Sequence, residues 1–296
     1  MQTAVTDCVK RGKFVARFML AALKEWVADR CDSLAGALAF FGSLSSPLFL
    51  AVLLWASMLI LGAPLARRSV FPVLLSWLGP ERAEGLRAML SFSEGLAVED
   101  LATMRVASAL VLLFGTLGFF LMVQNALEDV WNVRREQPGF IVQMKKRLFG
   151  LVVAAVSGLL VLCGLLLAGL LFWVFEGWAS QGILVQILRD AMLATVGFLV
   201  IWAVVSLWLR TLIPVRLTLR RIAPWSAMIS GLHLLGWRIL LWHFSDSHEL
   251  NTAVAAISSM LWLYYASLVF LYGAEVMRLY LVRYGKVAMP GAKDPG

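Results

Sequence analysis

The sequence predicts an all-α, polytopic membrane protein. It would have six transmembrane helices, both termini in the cytoplasm, and an N-terminal amphipathic helix at the membrane interface. Three observations predict this. Hydrophobic residues make up 61% and charged residues 15% of the chain, with a mean hydropathy of +0.83, against about 45–50% apolar and about 25% charged in soluble domains. Six long stretches are uncharged or nearly so. The positive charges between them fall alternately on one side and the other.

The elements follow in order. Residues 1–32 form a cytoplasmic segment in which Phe14, Phe18, Met19, Leu23, Trp26 and Val27 alternate with basic residues. Its plain reading is an interfacial helix held by anionic lipid at about 1 kcal/mol per nearby Lys or Arg; its sharper reading is a docking or regulatory segment. The membrane domain covers residues 33–283, because a helix needs ~20 mostly apolar residues to cross the hydrocarbon core. Its spans are placed at about 34–62, 106–127, 148–175, 190–210, 222–245 and 250–277. The first is far longer than the ~7–15-residue apolar region of a cleaved signal, so it is expected to stay in the chain. Residues 63–105 form a long outer loop with Pro64, Pro72, Pro80, the apolar piece Val70 to Leu78 and an acidic stretch from Glu81 to Asp100. Short helices on or near the outer face are expected there. Four residues, Asp246 to Glu249, separate spans five and six, which must then form an antiparallel hairpin. Residues 284–296 are a cytoplasmic tail.

Orientation rests on charge alone. The leading segment carries six Lys and Arg residues, the connection before span three five, the connection before span five four, and the end of the chain four. The alternate connections hold six, Arg67, Arg68, Arg82, Arg87, Arg105 and Arg189, and Arg238 lies within span five. Nineteen against six is what the positive-inside rule gives for six helices with both ends in the cytoplasm. The acidic residues divide nine and nine, so the asymmetry lies in the positive charges. The basicity, a pI of about 9.8, is thus a topology signal, and nucleic acid is excluded as a partner.

Three blocks resemble a known family. The first runs from Asp32 through the small residues to Phe40-Phe41 and on through Ser43 to Pro47. The second is Gln124-Asn125-Ala126-Leu127-Glu128-Asp129-Val130-Trp131. The third comprises Pro224-Trp225, Gly231 and Trp237, then Leu261-Trp262-Leu263-Tyr264 and Gly273-Ala274-Glu275. In order and spacing, over about residues 25 to 285, the chain is similar to the YihY/virulence factor BrkB family of bacterial inner-membrane proteins, formerly mislabelled as a ribonuclease. It departs from the family's pattern where span six begins, with Asn251-Thr252 in place of a Tyr-Gly pair. The resemblance implies a six-helix inner-membrane fold and little chemistry, since transport and lipid handling have both been proposed for the family. The nuclease label lacks a basis in the residues: His233, His243 and His248, the only histidines, have no ligand spacing.

A few polar residues stand out. Arg238 lies about 10 Å below the outer surface by helix rise, where an Arg costs ~2.5–3.5 kcal/mol on insertion scales. Either it snorkels to an outer-loop acid such as Asp246 or Glu249, or it faces a cavity and holds an anionic head group. Ser43, Ser45, Ser46 and Pro47 free backbone carbonyls in mid-span, which is tolerated only inside protein or beside water. Gln124 and Asn125 face the same space or cross-link helices. These seven are the substrate-cavity candidates. Asp32, Glu128, Asp129, Glu275, Arg134, Arg135 and Arg278 gather at cytoplasmic span ends, where an ion-pair belt locking helix ends is favoured over a proton relay. Small residues every four positions, Ala35, Ala39 and Ser43 in span one and Gly150, Ala154 and Gly158 in span three, are read as packing faces.

No catalytic constellation, Walker-type loop or metal-type cysteine spacing is visible. Cys8, Cys31 and Cys163 are read as reduced structural thiols. No enzyme activity, cofactor or metal is expected. Membrane lipids are the expected partners, and a homo-oligomer is admitted. The leading expectation is a transporter-like protein that moves or shelters an amphipathic or anionic substrate such as a lipid. The competing one is a non-transporting scaffold that binds partners or anionic lipid through its basic face. A polar cavity with Arg238 pointing into it favours the first; a solid bundle with Arg238 turned outward favours the second.

Overall fold

A computed structural model describes residues 17–78, 98–131, 139–176, 182–215, 217–244 and 252–283. They are all-helical, and eight helices are described: α1 (residues 17–28), α2 (Cys31–Leu61), α3 (Ala63–Leu78), α4 (Val98–Val130), α5 (Phe140–Glu176), α6 (Ile183–Thr211), α7 (Leu219–Phe244) and α8 (Thr252–Arg283). Five of them, α2, α4, α5, α6 and α8, contain stretches long and apolar enough to cross a membrane. The helix α7 is not among the five; it carries Arg220, Arg221 and Arg238 in its 26 residues.

Long helices form because the apolar runs are long and almost uncharged, and they stop where the backbone must turn. Arg30 adopts a left-handed φ of 53° between α1 and α2, and Leu34 N–H donates back to its carbonyl at 3.2 Å. Gly62, at φ 80°, separates α2 from α3, a conformation that a side chain would strain. Proline inside α2 does not end it, because the helix continues through residues 43–47 to Leu61.

The six long helices close a circuit in which each packs on the next in sequence and α8 returns to α2. Contacts also cross it, between α4 and α8 and between α2 and α5. Glycines set the close approaches. A Cβ at Gly118 of α4 would collide with the Phe41 ring of α2, and one at Gly273 of α8 with Ile229 of α7. Gly150 and Gly158, in the small-residue stripe of α5, face Phe120 and Phe49, while Ala35 and Ala39 of α2 are buried. Ile229 opposite Gly273 and Trp237 opposite Trp262 make α7 and α8 antiparallel; the turn at residues 246–249 lies outside the described residues.

The connection after α2 begins with a short helix, α3, which packs between α2 and α5, with Ala66, Val70 and Val73 fully buried. Leu53, Leu54, Leu165, Ala168, Leu193 and Val196 complete that core. The reason is its own stripe, Ala66-Val70-Val73-Leu74, which needs an apolar partner along its length. The rest of the acidic loop, residues 79–97, lies outside the described residues. A second and larger core fills the opposite end, where α2, α6 and α7 meet α4 and α8 around Trp131, Leu127, Leu209, Ile222 and Met277. That end also bears Lys24, Arg30, Lys145, Lys146, Arg147, Arg210, Arg220, Arg221, Arg278 and Arg283, and is called the basic end below. The outward faces are apolar: Trp55, Leu59, Phe114, Val152, Leu159 and Leu184 are all more than half exposed. Apolar exposure on this scale fits a lipid surround rather than water.

Candidate functional site

Two charged residues, Glu275 and Arg278, are fully buried among the described residues, at 0% and 1% exposure. They stand three apart on α8 and so share a face, which is turned toward α1 and the start of α2. The Arg278 guanidinium donates through Nη2 to Glu275 Oε1 and, at 3.3 Å, to Glu25 Oε2 of α1. Helix α1 reaches this position because Phe18, Ala22, Glu25 and Asp29 recur on one of its faces. Phe18 and Ala22 pack on Val276, and Tyr272 Oη donates to the Met19 carbonyl at 3.2 Å. Glu25 is half exposed, so the pair lies just beneath the surface.

More carboxylates converge there. Asp29, in the turn between α1 and α2, has its carboxyl raised above the usual range, chiefly by burial; Arg278 opposes the shift, and Glu25 and Asp129 add to it. Among the described residues, several buried polar atoms toward this end of the bundle have no hydrogen-bond partner: Glu275 Oε2, Asp29 Oδ2, Arg278 Nε and Nη1, Trp26 Nε1 and Trp131 Nε1. Each such atom costs about 1–3 kcal/mol, and more where it belongs to a charged group. Buried groups in this state mark either a binding site or a state that relaxes when it opens.

The residues of the predicted belt do not form one connected group among the described residues. Glu275 and Arg278 come together; Glu128 of α4 pairs instead with Lys146 of α5. Asp32 is exposed in the first turn of α2, a position favoured by the helix dipole. Asp129 is half-buried within electrostatic reach of Asp29. Arg134 and Arg135 lie outside the described residues. Glu25 and Asp29 were not singled out from the sequence, although their four-residue spacing in register with Phe18 and Ala22 carries the signal. The indoles of Trp26 and Trp131 gave no such signal, since only the fold shows them buried and unpaired.

The seven cavity candidates do not meet at one place. Arg238 is exposed, on the side of α7 shared with Gly231 and Leu235 and opposite the buried Ile222, Ser226 and Ile229. It faces away from the bundle. Ser43 and Ser45 bond back to the Phe40 and Phe41 carbonyls of their own helix at 2.8 and 3.0 Å. Ser46 is half-buried, and of the Pro47 side chain nothing is described. Gln124 is buried on α4, with Nε2 at 3.5 Å from the Lys146 carbonyl and Oε1 unpartnered; Asn125 beside it is half-buried.

Aromatic rings pack within the larger core. Trp208 of α6 meets Phe119, Phe120 and Phe270 edge-on, with centroids 5.5–5.8 Å apart, and its indole donates to Ser157 Oγ of α5 at 2.9 Å. Ser206 donates to Ser226 at 2.7 Å between α6 and α7. His233 Nδ1 lies 2.9 Å from the Ile229 carbonyl of its own helix. Among the described residues, no group of His, Cys, Asp and Glu could hold a metal ion.

No curated protein and no solved structure matches the chain. The profile of the family described as virulence factor BrkB matches residues 22–293. The match takes in nearly all of the chain and all three blocks of the resemblance, so the protein belongs to the BrkB virulence factor family.

Proposed function

We propose that this is a multi-pass protein of the bacterial inner membrane that moves or shelters an amphipathic, lipid-class substrate, and that its working end is the basic end of the bundle. On this reading α7 is the sixth crossing and both termini are cytoplasmic, as the nineteen-to-six distribution of positive charge requires. The observation that carries the proposal is the fully buried Glu275–Arg278 pair with unpartnered polar atoms around it. An ionisable pair held at the edge of the bilayer is expensive, and such groups mark substrate or ion pathways. The exposed stripe Leu20, Leu23 and Val27 on α1, with Lys24 beside it, supports a lipid-facing approach to that end.

The test is reconstitution. In liposomes of defined composition, fluorescent phospholipids are expected to cross faster with the protein than without it, as read by quenching of the outer leaflet. A rate equal to that of empty vesicles over a range of lipid classes would remove the proposal. A second reading, a non-transporting scaffold, is favoured by two observations: the outward position of Arg238 and the close packing of Trp208 with Phe119, Phe120 and Phe270 in the larger core. It would be supported if the chain leaves lipid distribution unchanged and its basic face binds anionic vesicles.

A further inference from the structure

The unpartnered atoms at the basic end are of two kinds, and together they describe a ligand. The donors are Arg278 Nε and Nη1 and the indole N–H groups of Trp26 and Trp131; the acceptors are Glu275 Oε2 and Asp29 Oδ2. Arg278, Glu275 and Trp131 are 1%, 0% and 0% exposed, so water does not satisfy them from the surface. Free guanidinium and indole N–H groups call for an oxyanion. A bare anion, however, meets three carboxylates around Arg278, those of Glu25, Asp29 and Glu275, with Asp129 acting on Asp29 beside them. A bare cation would pair with those carboxylates and leave the donors of Arg278 and the two indoles unfilled.

We propose that this centre binds a zwitterion, a ligand with an oxyanion and a primary ammonium a few bonds apart, and that α1 is the lid over it. The oxyanion is received by Arg278 and the two indoles, and the ammonium by Glu275 and Asp29. This rests on the reading of the basic end as the substrate end. Phosphoethanolamine lipids and soluble amino zwitterions share the chemistry. In the described conformation the atoms are closed off, so the ligand enters only when α1 lifts. What holds α1 down is the Phe18, Ala22 and Val276 patch with Met19, Tyr272 and Leu279 around it, Trp26 against the larger core, the Tyr272 bond to Met19 and the Arg278 bond to Glu25. Its other face, Leu20, Leu23 and Val27, is exposed, and the lid therefore opens along the lipid surface.

The test uses the full chain in detergent, titrated by native mass spectrometry with short-chain phosphatidylethanolamine, phosphatidylcholine, phosphatidylglycerol and soluble glycerophosphoethanolamine. The ethanolamine lipid is expected to bind about ten-fold or more tighter than the choline lipid, whose quaternary nitrogen donates no hydrogen bond, and than the anionic lipid. Equal binding of all three overturns the proposal in the wild-type protein, without recourse to variants. Glu275→Gln and Trp131→Phe are expected to erase that preference, and Arg238→Ala to keep it; a preference unchanged in the first two overturns the assignment of residues. Binding of the soluble head group as tight as that of the lipid identifies a soluble zwitterion, and much weaker binding identifies the lipid; both support the site. For the lid, Ala22→Cys with Val276→Cys, in a chain whose three native cysteines are replaced by alanine, is expected to lose binding when oxidised and regain it when reduced. Equal binding in both states overturns the lid. Lipid translocation without any ethanolamine preference would sink the zwitterion while leaving the substrate-handling reading standing.

Discussion

Glu275 and Arg278 show how burial changes the meaning of a charge. Removing one partner of a buried pair typically costs about 3–5 kcal/mol, because the other is left uncompensated. Glu275→Ala is therefore expected to lower the unfolding temperature of the detergent-solubilised protein by several degrees, and Glu275→Gln, which keeps an acceptor for Arg278, by much less. Equal losses would mean that packing, not charge, matters there. Asp29, without a direct ion pair to Arg278, is governed by burial. Its carboxyl is raised by burial, so the folded protein holds this proton to higher pH than the unfolded chain. Its contribution to stability falls as pH rises from the unfolded value, about 3.9, through the raised folded value, and the full penalty stands above that. Asp29→Asn is expected to stabilise the protein at pH 7 and to flatten that part of its pH profile; a loss of stability at pH 7 would show Asp29 to be a net stabilising anion. The Glu275 and Arg278 positions were legible in the sequence as polar residues at a span end. Their partners on α1 were not, because a contact between residues 253 apart leaves no trace in spacing.

Helices were easier to read than their neighbours. The runs that became α2, α4, α5, α6 and α8 are long, apolar and unbroken, and no soluble alternative competes for them. The small-residue stripes of α2 and α5 were legible as packing faces, yet Gly273 and Gly118 make closer approaches without any stripe. Gly273→Val is expected to push α7 from α8 and cost about 1–3 kcal/mol, typical of overpacking; an unchanged unfolding temperature would show that the two helices give way freely. A short helix was legible in the apolar piece from Val70 to Leu78, but its packing between α2 and α5 was not, because the partners of that stripe come from distant parts of the chain. Arg238 illustrates the converse: its depth could be counted along the helix, but the side it faces depends on how α7 is turned, which only α6 and α8 determine.

At the scale of the molecule, the apolar composition and the basicity describe one arrangement. The circuit of long helices presents apolar faces outward and gathers its positive charges at one end. A reporter fused after Gly296 is expected to be active in the cytoplasm and inactive outside it, and the opposite pattern would reverse the proposed orientation. The two ends differ in kind as well as in charge: the far core is apolar around α3, whereas the basic end contains the buried pair, the unpartnered indoles and the docked α1. On the proposed reading, function lies at the basic end and not at Arg238. Lipid translocation in liposomes, measured side by side for the wild type, Glu275→Gln and Arg238→Ala after matching protein insertion, tests this most directly. The predicted result is a rate about ten-fold or more below wild type for Glu275→Gln, equivalent to about 1.4 kcal/mol, with Arg238→Ala near wild type. Loss of translocation in Arg238→Ala with Glu275→Gln unaffected would contradict it.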